Sequence, residues 1–225
     1  LLALASTPSY DPNKYWEYSP SLFKEWSVQN LFEPGSTFKP INLALALEEG
    51  VINPNGEIND DGLVHVGGWP LSNWNNKPNG VLNYAEVLQV SSNVGMVKIM
   101  SKMDPVNYWK WLRLLGIDEM PETDLPGAVA GQLKSKDTFI SQPIEPAVAS
   151  FGQGFSVTPL KLAQLHALIA NGGKLVTPHI TKGLSKDYQS YENAPVEFKQ
   201  VISPQVAQTV LGWMETVVKN GSGTI

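Results

Sequence analysis

Three segments of the chain begin with a capping residue followed by proline. Proline favours the first turn of a helix because it has no N–H to leave unpaired there. The pairs are Asp104-Pro105, Thr158-Pro159 and Ser203-Pro204. Helix-breaking glycine follows each apolar run that they open. We therefore predict helices over residues 105–115, about 159–170 and about 204–218.

Residues 41–47 predict a buried helix. Their sequence, I-N-L-A-L-A-L, is apolar on almost every side, and Gly50 ends it. A short helix without a polar face belongs in the centre of a domain. Proline is tolerated only near a helix start, so Pro40 places the first turn close to Ser36.

Two more helices follow each other with a short break between them. Asn83 and Glu86 have the spacing of a capping box, which predicts a helix that runs up to Val90. A second apolar stretch predicts a helix over residues 94–102. The break between them reads Ser91-Ser92-Asn93.

The remaining stretches show no helical period. Residues 53–80 and 118–146 are rich in Asn, Gly and Pro, which predicts long irregular connections of the kind that often border a site. Residues 1–6 predict a short buried strand entered part-way, and residues 221–225 predict a loop. We expect the chain to be a piece of a longer protein.

Composition excludes several classes of function. The 225 residues are 42% hydrophobic and 16% charged, as in a folded domain. The net charge of -5 gives no electrostatic reason to expect a nucleic-acid partner. There is no cysteine, and the three histidines lack metal-ligand spacing, so we expect no disulfide, metal or cofactor. His166, in an apolar helical run, is predicted to be a packing or capping residue. No apolar run reaches the roughly 18 residues that span a bilayer.

Ser36 and Lys39 form an S-x-x-K motif at the start of the predicted buried helix. A spacing of three residues puts both side chains on one face of a helix. A lysine amine kept neutral by burial can take a serine proton and activate the hydroxyl as a nucleophile. The positive end of the helix disfavours the charged lysine, and the Ser36 N–H can point at a developing oxyanion.

The S-x-x-K spacing alone is not specific. Chance predicts about one match in a chain with this many serines and lysines. A second match, Ser21-x-x-Lys24, follows Pro20 and has no buried helix after it. We interpret that second match as accidental.

Ser91-Ser92-Asn93 is an S-x-N motif in the break between two predicted helices. The Ser91 hydroxyl there can relay a proton, and the Asn93 amide can hold both Lys39 and a substrate carbonyl. The alternative is that Ser92 simply caps the helix that begins near Val94. The spacing by itself leaves both interpretations open.

The order of these motifs resembles that of the class B penicillin-binding proteins. Residues 33–40, E-P-G-S-T-F-K-P, and residues 91–95, S-S-N-V-G, are similar to the family's first two motifs. Further similar segments are residues 3–13, which look like the strand and entry of the transpeptidase domain, 151–154 (F-G-Q-G), 157–160 (V-T-P-L) and 171–173 (N-G-G). S-S-N-V-G and F-G-Q-G look more like the division-type, FtsI-like branch than the elongation branch.

The resemblance implies an α+β fold of the penicillin-binding and β-lactamase type, with helices packed on an incomplete antiparallel sheet. It implies a peptidoglycan D,D-transpeptidase that acts on D-Ala-D-Ala stem peptides and is acylated by β-lactam antibiotics. Ser36 is then the nucleophile, Lys39 the base, Ser91 the relay and Asn93 the substrate holder. Divisome partners, an upstream membrane anchor in the bacterial inner membrane and a periplasmic catalytic domain are implied as well.

One departure from the family's pattern bears on completeness. K-[ST]-G occurs nowhere in the chain, and Lys219-Asn220-Gly221 is a near miss at the end of a predicted helix. We therefore expect residues 1–225 to be part of one transpeptidase domain, without its first strand and its K-T-G strand. Catalysis by the 225 residues alone is in doubt because that strand binds the substrate carboxylate.

Two other functions remain open. The first is a D,D-carboxypeptidase or β-lactamase-like hydrolase, although the nearest string to a deacylating E-x-x-L-N is residues 122–126, which lacks the Asn. The second is a truncated relative without catalytic activity.

Overall fold

The computed structural model describes residues 1–186, 189–192, 198–221 and 223. The α-helices are α1 Trp26–Gln29, α2 Lys39–Glu48, α3 Tyr84–Gln89, α4 Asn93–Met100, α5 Pro105–Leu114, α6 Lys136–Ser141, α7 Ile144–Ala149, α8 Pro159–Ala170 and α9 Pro204–Asn220. The strands are β1 Glu57–Asp60, β2 Leu63–Val66, β3 Trp69–Ser72, β4 Gly80–Asn83, β5 Lys174–Leu175, β6 Gly183–Lys186, β7 Gln189–Glu192 and β8 Lys199–Gln200.

The three helices predicted from a cap and a proline are confirmed as α5, α8 and α9. In each, the capping side chain accepts a hydrogen bond from a backbone N–H of the first turn, which has no partner inside the helix. Helix α9 runs two residues beyond the predicted end. The capping box of α3 is confirmed in both directions, from Glu86 N–H to Asn83 Oδ1 and from Asn83 N–H to Glu86 Oε2.

Helix α2 lies at the centre of the hydrophobic core, as predicted. Its residues Ile41, Leu43, Ala44, Leu45 and Ala46 are each at most 1% exposed. Helices α3, α4, α8 and α9 pack around it. Burying each Leu or Ile side chain contributes about 1.5–3 kcal/mol to the hydrophobic driving force, so the surrounding helices hold α2 firmly in place.

The fold class is confirmed as mixed helix and antiparallel strand. The described strands form four two-stranded antiparallel sheets, β1 with β4, β2 with β3, β5 with β8 and β6 with β7. The antiparallel sheet expected from the sequence is therefore present as separate small pairs. Pairing of β1 with β4 brings Asp60 opposite Gly80, and β1 packs against α4.

The strand predicted for residues 1–6 is wrong. These residues are exposed, Leu2 completely so, and they form no strand. A strand needs a neighbouring strand to pair its N–H and C=O groups. Within the described chain, residues 1–6 have none, and the amino terminus of Leu1 donates instead to the His179 carbonyl at 2.6 Å.

The irregular connection predicted for residues 53–80 is also wrong in part. It contains β1 and the hairpin of β2 and β3, with β4 beginning at its end. Gly67 and Gly68 make the hairpin turn, with φ of +56° and +87°. Such a turn needs two residues with positive φ, so the glycines that suggested a loop in fact allow a tight hairpin.

The second predicted irregular stretch, residues 118–146, contains α6 and the start of α7. Pro146 is compatible with α7 because it lies in the first turn, where the missing N–H removes no helical hydrogen bond. The cap of α6 is Ser135, whose hydroxyl accepts from the Thr138 N–H. The irregular part of residues 118–146 is therefore shorter than their proline and glycine content predicted.

Helix α9 ends at Asn220, close to the end of the described chain. Lys219 and Asn220 belong to α9, so the K-N-G near miss is helical, as predicted. Of the predicted loop 221–225, residues 222, 224 and 225 lie outside the described residues. Within the described part of the chain, no helix has both the length and the apolar character to cross a membrane.

Candidate active site

Ser36 and Lys39 lie at the amino-terminal tip of the buried helix α2. Ser36 belongs to a 3₁₀ helix, Gly35–Phe38, that runs directly into α2. Residues three apart lie one above the other in a 3₁₀ helix, so both side chains are on the same side. Ser36 is exposed, whereas Lys39 is 1% exposed. The hydroxyl is therefore open to a substrate, and the amine is enclosed.

Lys39 and Ser36 are joined through Ser91. Lys39 Nζ donates to the Ser91 carbonyl at 2.7 Å, to Ser91 Oγ at 3.0 Å and to Asn93 Oδ1 at 2.8 Å. Ser91 Oγ in turn donates to Ser36 Oγ at 3.0 Å. None of the three hydrogen bonds of Lys39 goes to Ser36 itself. A proton moving between Ser36 and Lys39 has its hydrogen-bonded path through the Ser91 hydroxyl.

Burial makes Lys39 a base near neutral pH. It lowers the pKa of the Lys39 amine from 10.5 to about 7, although the negative charge of Asp60 acts in the opposite direction. A buried ammonium loses the hydration that stabilises it in water. The Lys39 amine can therefore exchange a proton near neutral pH.

The turn 91–93 both caps α4 and contacts Lys39. The Ser92 hydroxyl accepts from the Gly95 N–H at 2.7 Å and caps α4. Ser91 and Asn93, on either side of it, face Lys39. Ser91 has φ of +55°, a conformation that non-glycine residues rarely adopt. This backbone geometry lets the carbonyl and the hydroxyl of Ser91 both reach the same amine.

Gly152 approaches the backbone beside Ser36. The Gly35 N–H donates to the Gly152 carbonyl at 2.9 Å. A Cβ atom on Gly152 would lie 2.1 Å from the Gly35 carbonyl oxygen, and the φ of Gly152 is +82°. Glycine is therefore required at this position on two grounds. The F-G-Q-G segment supports the turn that carries Ser36.

We expect Gly152→Ala to destabilise the fold much more than Gly50→Ala. Both glycines have positive φ, but a Cβ at Gly50 meets nothing within 4 Å. The backbone conformation costs about 1–2 kcal/mol at either position, and the collision at Gly152 adds about 1–3 kcal/mol. Denaturant unfolding of both variants measures the difference. Equal losses of unfolding free energy would mean that the close approach to Gly35 has no energetic consequence.

Comparison with known proteins establishes the family. Residues 1–225 match the family described as "Penicillin binding protein transpeptidase domain". The chain belongs to this penicillin-binding transpeptidase family. A "Peptidoglycan D,D-transpeptidase FtsI homolog" from Mesostigma viride is 41% identical, over 100% of this chain and 41% of that protein. The chain thus spans about two fifths of the length of that relative.

Two solved transpeptidase structures show the same arrangement of the chain. The transpeptidase domain of Burkholderia pseudomallei penicillin-binding protein 3 is 32% identical with a TM-score of 0.78, covering 88% of this chain and 57% of that one. Penicillin-binding protein 3 from Mycobacterium tuberculosis, solved in complex with aztreonam, is 29% identical with a TM-score of 0.80. That match covers 88% of this chain and 44% of the other.

All four site residues predicted for this penicillin-binding transpeptidase chain, Ser36, Lys39, Ser91 and Asn93, meet at one place. The second S-x-x-K match does not resemble them. Ser21 is exposed, and its hydroxyl hydrogen-bonds the Ser19 hydroxyl at 2.9 Å. Lys24 is exposed as well. The buried helix after Ser36, the burial of Lys39 and its contacts with Ser91 and Asn93 distinguish the first motif from the second.

His166 packs against the S-x-x-K turn from α8. It is partly buried, and burial lowers its pKa although a hydrogen bond to the Thr37 backbone acts in the opposite direction. This contact fits the predicted packing role. In the described residues, no group of three or more His, Asp or Glu side chains has an arrangement that would hold a metal.

Sequence reasoning missed three polar residues that support the site. Asn42 in α2 donates to the carbonyls of Ala149 and Ser150 at 3.0 and 2.9 Å and accepts from Tyr108 Oη at 2.9 Å. Its signal was present, because it is the one polar residue in the apolar run 41–47. Asp60 and Asn73 lie in the segment interpreted as a loop, where polar residues carry no signal.

Proposed function

We propose that this chain carries the acylation site of a peptidoglycan D,D-transpeptidase. Ser36 is the nucleophile, Lys39 the base, Ser91 the proton relay and Asn93 the holder of the substrate. The observation that carries the proposal is the continuous hydrogen-bonded path from an exposed serine hydroxyl through Ser91 to a buried lysine with a pKa of about 7.

The reaction follows from these contacts. Ser36 Oγ attacks the carbonyl carbon between the two D-alanines, and its proton passes through the Ser91 hydroxyl to Lys39 Nζ. The oxyanion that forms faces the Ser36 N–H, which belongs to the first residues of a helical turn and has no partner inside that turn. Collapse breaks the C–N bond, and the leaving amine takes the proton. An amine on a neighbouring peptidoglycan strand then attacks the ester carbonyl. The C–O bond to Ser36 breaks, and the proton that the amine loses returns to Ser36 Oγ.

Asn93 is well placed for a substrate. Its Oδ1 accepts from Lys39, and its Nδ2 donates to the Ser72 carbonyl at 3.1 Å. These two bonds fix the plane of the amide. The second N–H of the amide is left to donate to a stem-peptide carbonyl. Recognition of the terminal carboxylate is proposed to come from a K-T-G strand, which the 225 residues do not contain.

The biological setting is proposed from the relatives. One relative is the peptidoglycan D,D-transpeptidase FtsI of Escherichia coli K12, which is 30% identical over 100% of this chain and 36% of that protein. We propose a role in septal wall synthesis, with divisome proteins as partners and a membrane anchor upstream of Leu1. The catalytic domain would then lie on the extracytoplasmic side. β-Lactams, the class to which aztreonam belongs, are proposed to acylate Ser36.

Covalent labelling tests the proposal. The full-length gene product is incubated with a fluorescent penicillin, and the labelled peptide is identified by mass spectrometry. Acylation of Ser36 is the expected result. A label on another residue would remove Ser36 from the role of nucleophile.

The rate of acylation is expected to rise with pH through about 7. Lys39 accepts a proton only in its neutral form, and burial places its pKa at about 7. Between pH 6 and pH 8 the neutral fraction rises about tenfold, and the rate constant should rise with it and level off above pH 8. Stopped-flow measurement of penicillin acylation between pH 5 and 9 checks this. A flat profile across pH 6 to 8 would contradict a basic role for Lys39.

A serine hydrolase of the carboxypeptidase or β-lactamase type is the second candidate. Deacylation by such an enzyme needs a base that activates water. The nearest string, residues 122–126, lacks the Asn, and its Asp124 accepts from the N–H groups of Ile180 and Thr181 at 2.9 and 2.7 Å. We expect a long-lived penicilloyl adduct, seen by mass spectrometry of the intact protein. Rapid penicillin turnover favours the hydrolase, and no adduct at all favours a relative without catalytic activity.

A further inference from the structure

Asp60 is a completely buried carboxylate behind the site. It ends β1 and is 0% exposed. A buried charge is costly unless hydrogen bonds replace the water that it loses. Asp60 has several such hydrogen bonds. One comes from Ser92, which lies in the turn 91–93, and Asn73, which supplies others, contacts this turn.

Five N–H or O–H contacts converge on the carboxylate from four residues. They are Gly62 N–H to Oδ1 at 2.8 Å, Asn73 Nδ2 to Oδ1 and Oδ2 at 2.9 Å each, Asn79 Nδ2 to Oδ2 at 2.6 Å and Ser92 Oγ to Oδ2 at 2.6 Å. Burial alone would raise the pKa of Asp60, but these bonds together hold it below its ordinary value. Asp60 is therefore a carboxylate at neutral pH.

Two short paths lead from Asp60 to the turn. The first is direct, through the Ser92 hydroxyl, which is 0% exposed. The second runs through Asn73, whose Oδ1 accepts from the Asn93 N–H at 2.9 Å and the Val94 N–H at 3.2 Å. Asp60 orients Asn73 by binding its Nδ2, so that Oδ1 faces these two N–H groups.

The turn needs such support because of its backbone. Ser91 has φ of +55°, which costs about 1–3 kcal/mol and persists only where surrounding contacts impose it. Residues 92 and 93, directly after it, are the ones that Asp60 and Asn73 hold. The contacts made by Asp60 and Asn73 therefore fix the Ser91 and Asn93 groups that bind Lys39.

Asp60 also supplies the negative charge that acts on Lys39. Charged groups on the elements packed against α2 have other partners: Lys98 with Asp61, Glu86 with the Asn83 N–H, Lys161 with the Leu115 carbonyl, Glu215 with Lys219, and His166 with the Thr37 backbone. Within the described chain, Asp60 is thus the charge that counteracts the effect of burial on the amine.

We propose that Asp60 is a positioning residue for acylation, which holds the turn 91–93 through Ser92 and Asn73. Its negative charge also favours the ammonium form of Lys39. This inference rests on the proposed function of Ser36 and Lys39. Asp60 touches neither the substrate nor the reacting atoms. A carboxylate suits the role because it accepts from every direction, whereas an amide would turn an N–H group toward donors.

Asp60→Asn and Asp61→Asn form a matched pair for the test. They are adjacent and make the same chemical change, but Asp61 is exposed and pairs with Lys98. The pH profile of penicillin acylation is measured on the full-length protein. Asp60→Asn should lower the rate about tenfold or more above pH 8 and move the midpoint about one pH unit toward acid, since it removes the negative charge that favours the ammonium form of Lys39. Asp61→Asn should leave the rate within about twofold and the midpoint in place.

A second readout does not depend on acylation. The titration of Lys39 is followed by NMR of ¹³C-labelled lysine, with its signal assigned by its loss in Lys39→Met. The Lys39 midpoint should fall in Asp60→Asn and stay in Asp61→Asn. If the parent is not acylated at Ser36, the proposed function fails, and this titration still tests the field of Asp60. An unshifted Lys39 midpoint overturns the inference in either case.

Ser92→Ala covers the event that Asp60→Asn does not fold, as judged by circular dichroism. It removes the 2.6 Å bond to Asp60 but keeps the charge. Acylation should fall at least about threefold while the midpoint stays near 7. A folded Asp60→Asn that behaves like Asp61→Asn, or a folded Ser92→Ala with the parental rate, overturns the positioning role.

Discussion

Replacing Ser36 by alanine is expected to abolish penicillin labelling of the full-length protein. The proposed label is an ester on Ser36 Oγ, the exposed hydroxyl that Ser91 links to the buried Lys39. Ser91 cannot replace it, because its hydroxyl lies between Ser36 and Lys39, at 3.0 Å from each. We expect the rate of acylation to fall at least about 10⁴-fold, to the level of unfolded protein. Gel fluorescence and mass spectrometry of the intact protein measure it.

Ser21→Ala is the matched control for this experiment. Ser21 has the same S-x-x-K spacing, but it is exposed and hydrogen-bonds Ser19. Its replacement should leave labelling unchanged. Undiminished labelling of Ser36→Ala would show that the nucleophile lies elsewhere, and loss of labelling in Ser21→Ala would show that the wrong motif was chosen.

Lys39→Met is expected to have the second largest effect, a loss of about 10²–10⁴ in the rate of acylation. Methionine fills a similar volume but accepts no proton from Ser91. It also leaves the partly buried Ser91 carbonyl and Asn93 Oδ1 without their donor, at a cost of up to about 1–3 kcal/mol for each acceptor. Burying a charged amine is itself unfavourable, so its removal offsets part of that cost. We therefore expect a folded protein that acylates slowly at every pH.

The loss of pH dependence is the discriminating part of this prediction. The rise through about pH 7 belongs to the Lys39 amine, so it should disappear in Lys39→Met. Lys24→Met, at the exposed second motif, is the control and should keep both the rate and the profile. A Lys39→Met protein that retains the midpoint near pH 7 would assign the base to another group.

The helices were largely predictable because their signals are local. A capping side chain and a proline act within one turn, so residues 104–105, 158–159 and 203–204 place α5, α8 and α9 with little help from the rest of the chain. The apolar run 41–47 predicted burial for a similar reason. Exposing an almost wholly apolar helix to water is unfavourable, so such a helix packs inside the domain.

The strands were not predictable in the same way. Residues 57–83 look polar and glycine-rich, yet they form β1 to β4. Short strands with one exposed face have little apolar pattern of their own, and their partners decide whether they form. Residues 1–6 show the opposite case. Their pattern is apolar, but they form no strand because, in the described chain, no neighbouring strand lies beside them.

By itself, the sequence determined the chemical groups and the local frame of the site. It placed a serine and a lysine one turn apart at the start of a buried helix, and a serine and an asparagine in a break between two others. Only the tertiary structure decided that Ser91 lies between Ser36 and Lys39, 55 and 52 residues away along the chain, and that Asp60 stands behind them. Contacts across such separations depend on the packing of the whole core around α2, which no short stretch of sequence encodes.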